Sequence, residues 1–362
     1  MTHSQRRAKL CDRLQSASLD AMLVSDLNNV RYLSGFTGSN AALLVFADAR
    51  PAVLATDGRY RTQASRQAPD VEIVIERACA ATLSLRAAEA GVGALGFEGH
   101  VLTVDAYQGL TDTLSGHPNI ALVRASGTVE TLREVKDAGE VALLRLACEA
   151  ADAALTDLIE RGAIRPGRTE KQVRNDLEAA MLEHGADGAS FETIVAAGAN
   201  SAIPHHRPTD AVLADGDFVK IDFGALVAGY HSDMTRTFVL GRAADWQREI
   251  YELVAAAQRA GREALAPGVA LCEVDRAARA VIADAGYGDT FSHGLGHGVG
   301  LQIHEAPGIN AKAAGTLLAG AAVTVEPGVY LPDRGGVRIE DTLIVGNGPE
   351  LLTRFPKELQ IL

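Results

Sequence analysis

The sequence predicts a mixed α/β (α+β) protein with two domains, and three observations support that prediction. The chain has 362 residues, whereas a single domain usually takes roughly 100–200. Short apolar runs alternate with helical patterns over residues 1–126, which is typical of a small α/β domain. Two β-rich segments with turn residues near their centres follow at 217–240 and 322–345, and such segments indicate antiparallel hairpins.

The first domain consists of apolar runs of strand length with helical stretches between them. Residues 82–91 and 103–116 carry the helical pattern, and no phosphate-loop signature accompanies them. The strand-like runs are residues 19–25, 41–47, 51–57, 71–76, 94–99 and 121–126.

A domain boundary is expected near residue 130, where the alternating apolar runs give way to a polar stretch. The polar stretch 126–137 precedes a strongly amphipathic helix within 136–162. Its apolar face follows the i+3/i+4 spacing of a buried helix face and comprises Leu144, Cys148, Ala151, Leu155 and Leu158. We therefore predict one domain at 1–130 and a second at 131–362.

The second domain begins with helices and continues with the two hairpins. Thr169 to Gln172 forms a capping-box pattern that opens a helix ending at Gly185. Helices are also expected at about 245–265 and 272–285. A glycine-rich stretch with three histidines, HGLGHGVGLQIHEAP, follows at 293–307.

Composition excludes several classes of partner. The formal net charge is −12, which argues against nucleic acid and anionic membranes, since phosphate binding needs clustered Lys and Arg. The short basic stretch Arg6, Arg7 and Lys9 is interpreted as a solvated helix face. No apolar run approaches the ~20 residues that cross a bilayer. The four scattered cysteines favour free thiols and hence a cytoplasmic protein.

Each predicted hairpin carries two carboxylates in otherwise apolar strands. Asp222 and Asp233 lie on either side of a turn near 227–229, and Glu326 and Glu340 lie on either side of a turn near 333. Burying one unpaired ionised carboxylate costs several kcal/mol in effective terms. Either the pKa values of these acids rise or a cation compensates them.

A metal site accounts for these acids together with the glycine-rich loop. Carboxylates with one imidazole suit Mn, Co, Fe or Zn, and His297 supplies the imidazole. Taken singly, each acid is as well explained by a satisfied polar residue or by turn chemistry. The five residues together favour two ions that share carboxylates, an arrangement that activates water for hydrolysis.

These motifs resemble a known enzyme family. The stretches DFG…GYHSDMTRTF, HGLGHGVGLQIHEAP, VEPGVY and GGVRIED are similar to the signatures of the pita-bread metallopeptidases, through about residues 135–362. NVRYLSGFTGSNA at 29–41 resembles the creatinase-type N-terminal domain carried by Xaa-Pro peptidases. The resemblance implies a small creatinase-type α/β domain and a catalytic domain whose curved antiparallel sheet has pseudo-twofold symmetry.

The resemblance also implies a role for each metal ligand. Asp222 would chelate one ion, and Asp233 and Glu340 would bridge both. His297 and Glu326 would complete the other ion's shell, with Glu326 also shuttling a proton. The expected cofactor is two divalent ions, manganese first, with cobalt, iron or zinc as alternatives.

Four further residues would handle the substrate by the same resemblance. His205 in SAIPHHRP would line the cleft, and His293 would lie beside the proline. His304 would donate to the scissile carbonyl or to the oxyanion, and Arg338 would orient nearby groups. A structural hydrogen-bonding role is the alternative for His293, and His206 is expected to act only indirectly.

The resemblance implies an exopeptidase that cleaves between an N-terminal residue and proline. Its substrates would be peptides with proline in second position, as for aminopeptidase P. A prolidase restricted to Xaa-Pro dipeptides is the alternative. Some prolidases carry an Arg after the HE-x-P motif, and Gly308 occupies that place here, which weakens the dipeptidase interpretation. The family also implies a homodimer.

Three other interpretations are disfavoured by the sequence. A binding protein on an inactive peptidase scaffold and a metal-free hydrolase of the creatinase type would both be expected to lack the carboxylates, whereas all five ligand positions are filled here. A methionine aminopeptidase would typically lack the N-terminal domain. The sequence does not specify the metal, the favoured first residue or the maximal peptide length.

Overall fold

The computed structural model describes residues 1–48 and 50–362. These residues form two compact units, Met1–Arg133 and Glu134–Leu362. Among the described residues, no helix is both long and apolar enough to span a bilayer. The four cysteines are free thiols, as the sequence predicts.

The first unit is a six-stranded sheet flanked by helices. The sheet order is β4-β3-β2-β1-β5-β6, with β2 antiparallel to both of its neighbours and the outer pairs parallel. The strands are β1 Ala21–Val24, β2 Ala41–Phe46, β3 Val53–Thr56, β4 Glu72–Ile75, β5 Ala94–Phe97 and β6 Ala121–Arg124. The helices are α1 His3–Ser16, α2 Leu27–Ser34, α3 Arg61–Gln67, α4 Cys79–Glu89, α5 Val104–Thr113 and α6 Glu130–Glu134, whose last residue belongs to the second unit.

The basic stretch at the start of α1 is not the solvated face expected from its charge. Arg6 and Arg7 are only 6% and 8% exposed. Arg6 donates to the carbonyl of Tyr32, and Arg7 donates to the carbonyl of Leu33 and pairs with Asp70. Both guanidinium groups therefore satisfy the C-terminal carbonyls of α2, where a helix end attracts cations.

Four helices and thirteen strands among the described residues build the second unit. The helices are α7 Ala138–Glu160, α8 Glu170–Glu183, α9 Asp245–Glu263 and α10 Leu271–Asp284. The predicted capping box of α8 is confirmed, because Thr169 Oγ1 accepts from Gln172 N and the Gln172 side chain returns to Thr169 N. Apolar faces of these helices cover the sheets in two buried clusters, one around α7 and α8 and one around α9 and α10.

The strands of this unit pair antiparallel throughout the named ladders. They are β7 Gly188–Ala189, β8 Ile194–Ala197, β9 Phe218–Phe223, β10 Ala225–Val227, β11 Tyr230–His231, β12 Met234–Val239, β13 Gly296–Gly298, β14 Glu305–Ile309, β15 Ala322–Val325, β16 Gly328–Leu331, β17 Gly335–Arg338, β18 Asp341–Ile344 and β19 Glu350–Leu351. The sheet orders are β11-β10-β7, β12-β9-β8, β14-β13-β15-β18-β19 and β16-β17.

Each predicted hairpin is an interrupted ribbon with two ladders. In the first ribbon β9 pairs with β12, and the chain between them forms the short β10–β11 hairpin. In the second ribbon β15 pairs with β18, and β16 pairs with β17 beyond a break in both strands. The acidic residues lie at or beside these breaks.

Candidate metal centre

A cavity of about 460 Å³ opens in the second unit. All nine residues singled out from the sequence line it. They are His205, Asp222, Asp233, His293, His297, His304, Glu326, Arg338 and Glu340. Phe191, Ile194 and Ile303 add apolar surface to the same wall.

The first ribbon contributes two acids from adjacent strands. Asp222 lies in β9 directly opposite Thr235 of β12. Asp233 precedes β12 by one residue and so lies diagonally across from Asp222. Both acids are buried, at 7% and 4% exposure. Gly224 directly follows β9, and only glycine fits there, because a Cβ would lie 1.8 Å from the carbonyl oxygen of Ser232.

The second ribbon contributes its acids from the two strand breaks. Glu326 follows β15, and its N–H donates to the carbonyl of Leu295 at 2.8 Å. Glu340 precedes β18, and its N–H donates to the carbonyl of Thr235 at 3.1 Å. Main-chain bonds to neighbouring elements therefore fix both acids, and Glu340 connects the second ribbon to the first.

The His297 ring has the orientation of a metal ligand. Its Nδ1 donates to the carbonyl of Gly298 at 3.0 Å, which leaves the lone pair on Nε2. That Nε2 lies 3.5 Å from Asp233 Oδ2 and 3.4 Å from Glu326 Oε1. Burial lowers the pKa of His297 to about 4. The ring is therefore neutral near pH 7, as a ligand imidazole must be.

Two of the acids and one histidine lie close enough together to bind one ion. Ligand atoms of Asp233, His297 and Glu340 all lie within 4.8 Å of one another. Ligand distances of about 2.0–2.6 Å place opposite ligands up to about 4–5 Å apart. Glu326, beside His297, and Asp222 extend this group along the cavity wall.

Unsatisfied oxygens provide an independent test of whether these residues fit a cation. Asp222 Oδ1 and Glu340 Oε1 are buried, and neither has a hydrogen-bond partner within the described ranges 1–48 and 50–362. Leaving such oxygens unpaired is costly. The two oxygens come from different ribbons, as expected for a centre assembled from both. The donor set therefore fits hard or borderline divalent ions.

The raised pKa values of three of the acids also indicate that these residues fit a divalent cation. Burial, and then the charge of Asp222, raises the pKa of Asp233 well above its usual value. Burial, and then the charge of Asp233, raises the pKa of Glu340 in the same direction. Burial raises the pKa of Glu326 to about 8. Acids that resist ionisation together are the groups that a bound divalent ion would ionise.

Asp222 differs from the other acids because Arg338 holds it. Arg338 Nη2 donates to Asp222 Oδ2, and its Nε donates to Thr235 Oγ1 at 3.0 Å. Thr235 in turn donates to Glu340 Oε2 at 2.7 Å. Arg338 was expected to orient nearby groups and to take part in substrate binding. It is 2% exposed, and these bonds direct it toward the two acids.

The ring nitrogens of His293 also have protein partners. Nδ1 donates to the carbonyl of Gly294, and Nε2 accepts from the Tyr330 hydroxyl, each at 2.8 Å. The same hydroxyl accepts from Arg338 Nη1 at 2.7 Å. Burial lowers the pKa of His293 to about 3. His293 therefore offers the cavity the C–H edge of a neutral ring, and its hydrogen bonds fit the structural alternative.

His205 and His304 are the exposed histidines of the cavity. The rings of His304 and His297 are 4.5 Å apart between centroids, in an edge-to-face arrangement. Burial and the nearby His205 lower the pKa of His304. Both rings are placed to meet a ligand that enters beside the acids.

Three supporting residues were not identified from the sequence. Tyr330 connects His293 to Arg338, Thr235 connects Arg338 to Glu340, and Thr324 Oγ1 donates to Glu326 Oε1 at 3.3 Å. Thr235 and Thr324 each lie two residues from an acid along a strand. Side chains two apart share a sheet face, so this spacing was an available signal.

A buried acidic pocket with one neutral imidazole beside a glutamate has the donor set of a metal-dependent hydrolase. Comparisons with known proteins identify the class further. Residues 142–347 match the model of metallopeptidase family M24, and residues 6–135 match that of the creatinase/prolidase N-terminal domain. The chain belongs to metallopeptidase family M24.

Similar proteins extend over nearly the whole chain. The Xaa-Pro dipeptidase of Pyrococcus horikoshii is 35% identical over 358 residues, which are 98% of this chain and 99% of that protein. The structure of the Xaa-Pro dipeptidase from Bacillus anthracis has a TM-score of 0.94 at 39% identity and covers 100% of both chains. The X-Pro aminopeptidase from Thermotoga maritima has a TM-score of 0.89 at 31% identity and covers 98% and 99%.

These findings confirm the family, the fold class and the enzyme class expected from the motifs. The protein is a metallopeptidase with a creatinase-type N-terminal domain and a pita-bread catalytic domain. Their support is stronger for the dipeptidase alternative than for the aminopeptidase P interpretation, because the relatives with this coverage include several named Xaa-Pro dipeptidase or prolidase.

Proposed function

We propose that this chain is an Xaa-Pro dipeptidase that hydrolyses the bond between the first residue and proline with two divalent ions. The observation that carries the proposal is the convergence of Asp233, His297 and Glu340 within 4.8 Å, beside Glu326 and Asp222 in one cavity. The names of the relatives supply the substrate class. The dipeptidase is thus ranked above the aminopeptidase P interpretation, although Gly308 had favoured the latter. The lack of a cationic side chain at Gly308 weighs less than the names of those relatives.

The residues that would hold the ions are Asp222 and Asp233 of the first ribbon, Glu326 and Glu340 of the second ribbon, and His297. Bound there, the ions supply Lewis acidity and lower the pKa of water near neutral pH. Manganese is proposed first, since oxygen donors with one imidazole suit it.

Glu326 is placed to move the proton during hydrolysis. Its carboxylate lies on the cavity wall, and Thr324 Oγ1 donates to Oε1. Once ionised, Oε2 takes a proton from the attacking water and delivers it to the proline nitrogen as the C–N bond breaks.

The histidines bind and orient the peptide. His304 is neutral near pH 7 because its pKa is lowered, so its ring N–H donates to the scissile carbonyl oxygen without adding charge. The C–H edge of His293 provides a wall for the proline ring, which has no N–H to satisfy. His205 covers the open side of the same cleft.

Turnover of matched peptides tests the proposal. We expect purified protein with added manganese to hydrolyse Met-Pro at least about 10-fold faster than Met-Pro-Gly or Met-Ala, judged by kcat/KM. Asp233→Asn should abolish this activity, whereas Asp210→Asn, at an exposed position, should retain it. Faster cleavage of Met-Pro-Gly would favour the aminopeptidase, and equal activity of Asp233→Asn would refute the metal mechanism.

Metal content and assembly are tested on the same preparation. We propose two ions per chain, counted by elemental analysis after dialysis, and Asp233→Asn should lose them. We also propose a homodimer, which light scattering measures directly. One ion per chain, or a monomer at micromolar concentration, would contradict the corresponding proposal.

A further inference from the structure

His205, which lines the cavity, belongs to an irregular segment of the chain. Residues 203–209, here called the His205 segment, lie between a short 3-10 turn at Gly198–Ala202 and the isolated bridge at Val212. No helix or strand includes them. Irregular backbone is mobile unless side chains fix it, so the position of the exposed His205 depends on its neighbours.

One side of the segment is fixed by Glu170, the first residue of α8. This carboxylate is fully buried. His206 Nε2 donates to its Oε2 at 2.8 Å, and the N–H and hydroxyl of Thr209 donate to the same oxygen at 2.9 and 2.8 Å. Its other oxygen accepts from Ala197 N and Asn200 Nδ2. Glu170 thus ties down both ends of residues 197–209.

The other side is fixed by Lys220 from β9. Lys220 is 0% exposed, and its Nζ donates to the carbonyls of Ile203 at 2.7 Å and Pro204 at 3.3 Å. Arg338 Nη1 also donates to the Pro204 carbonyl, at 3.3 Å. The peptide just before His205 is therefore held by two buried basic side chains, Lys220 and Arg338.

This use of Lys220 is costly for a core position. A buried ammonium loses its hydration, and an apolar residue of similar volume often serves stability as well or better. The hydrogen bonds of Lys220 Nζ go to the His205 segment rather than to a carboxylate. Its position is thus better explained by ordering that segment than by stabilising the sheet.

We propose that His206 and Lys220 are positioning residues that hold His205 at the substrate. The proposal rests on the Xaa-Pro hydrolysis proposed above and adds the residues that order its open wall. Removing either anchor loosens the segment, so substrate binds less well at every stage of the reaction. Such a loss raises KM and leaves kcat nearly unchanged.

A double-mutant cycle separates positioning from general structural damage. His206→Leu removes the donor to Glu170, and we expect KM for Met-Pro to rise roughly 10-fold with kcat within about threefold of wild type. His206→Gln keeps a donor at the position of Nε2 and should restore KM. In a His205→Ala background, His206→Leu should add less than about a twofold change, because coupled residues are not additive.

Amide hydrogen exchange provides a readout independent of activity. His206→Leu and Lys220→Met should each speed exchange across residues 203–212, whereas His206→Gln should not. His184→Leu and Lys312→Met, at exposed positions, are the matched controls and should leave that exchange unchanged. If Lys220→Met does not fold, the His206 pair and its cycle decide alone.

The outcomes distinguish this proposal from the function on which it rests. Wild-type protein that does not cleave Met-Pro refutes the proposed function, and exchange of the His205 segment then decides the anchoring by itself. Normal exchange in His206→Leu overturns the proposal. So does a KM increase that is as large in the His205→Ala background as in wild type.

Discussion

At the residue scale, Arg338 is bonded to the acids at the cavity wall. It donates to Asp222 directly and to Glu340 through Thr235. Groups that orient metal ligands from behind typically change metal affinity or activity by about 10–100-fold when replaced. We therefore expect Arg338→Gln to weaken manganese binding and to lower kcat/KM within that range, measured by titration calorimetry and by peptide turnover.

The control for this variant is nearby on the same hairpin. Arg334 is exposed and stacks over Trp246, so Arg334→Gln should bind manganese like wild type. Unchanged affinity in Arg338→Gln would show that Asp222 keeps its orientation without the guanidinium.

The raised pKa of Glu326 predicts how the stability of metal-free protein depends on pH. Glu326 has a pKa of about 8 when folded and 4.5 ordinarily, and the pKa values of Asp233 and Glu340 are shifted upward as well. The folded state thus binds more protons than the unfolded state between about pH 4.5 and 8. Its stability falls as pH rises through that window.

The histidines confine the clear part of this effect to pH 6.5–8. His293 and His297 have lowered pKa values, so they oppose folding only below their ordinary value of 6.5. Burial also lowers the pKa of Lys220, which acts in the opposite direction to the acids, so the contribution of the acid is read as the difference between wild type and Glu326→Gln. In a chelator, thermal melts of the wild type should lose up to about 1.4 kcal/mol more stability per pH unit above pH 6.5 than melts of Glu326→Gln. Saturating manganese should remove this difference in slope, since the ions replace the protons.

Glu326→Gln should reduce that slope, and Glu249→Gln, at an exposed position, should not. Equal slopes for metal-free wild type and Glu326→Gln between pH 6.5 and 8 would contradict the raised pKa of Glu326.

Residue types in the sequence were sufficient to select the acids and His297, because ionised groups in apolar strands require a partner. They did not identify the bonding partners of Arg338 and His293, which depend on the atoms that the fold brings near them. The Tyr330 hydroxyl that occupies His293 Nε2 comes from β16, and one-dimensional spacing does not contain that contact. The buried Arg6 and Arg7 were misinterpreted for the same reason.

At the scale of the elements, glycine allows β13 to lie against its neighbours. A Cβ at Gly296 would meet the carbonyl oxygen of Thr324 at 2.0 Å, whereas one at Gly308 would meet only Asn310 Nδ2, at 3.5 Å. Gly296→Ala should therefore cost about 1–3 kcal/mol. It should also displace the adjacent His297 enough to lower kcat/KM by roughly 100-fold.

Gly308→Ala is the matched variant and should change stability by less than about 0.5 kcal/mol. Denaturant unfolding and peptide turnover measure both effects. Equal behaviour of the two alanine variants would refute the argument from close backbone approach.

The strands and helices themselves were largely predictable, because their periodicity is local. The apolar run 41–47 became β2, and the capping box at Thr169 opens α8. The interruptions of the two ribbons were not predicted. They depend on close approaches such as that of Gly224 to Ser232, which involve residues from different strands.

At the scale of the whole molecule, every proposed ligand and substrate residue lies in the unit Glu134–Leu362. That unit also has its own buried clusters around α7–α8 and α9–α10. We therefore expect residues 134–362, produced alone, to fold cooperatively and to bind manganese. Circular dichroism melts with and without the ion test this, with the Asp233→Asn fragment as control. A fragment that is unfolded or does not bind the ion would contradict it.

Two domains and an acidic metallopeptidase centre could be predicted because length, pattern and motif each carry that information. Peptide length preference could not, since Gly308 removes one candidate group without identifying what replaces it. That choice depends on the three-dimensional shape of the cavity around His205, which irregular backbone determines.

The main-chain bonds of Glu326 to Leu295 and of Glu340 to Thr235 have a practical consequence. They hold the ligand backbone in register whether or not cations are present. Protein treated with a chelator should therefore be inactive but still folded. Adding manganese back should restore turnover within the mixing time, with no refolding lag, so the metal-free protein would remain competent to bind its ions.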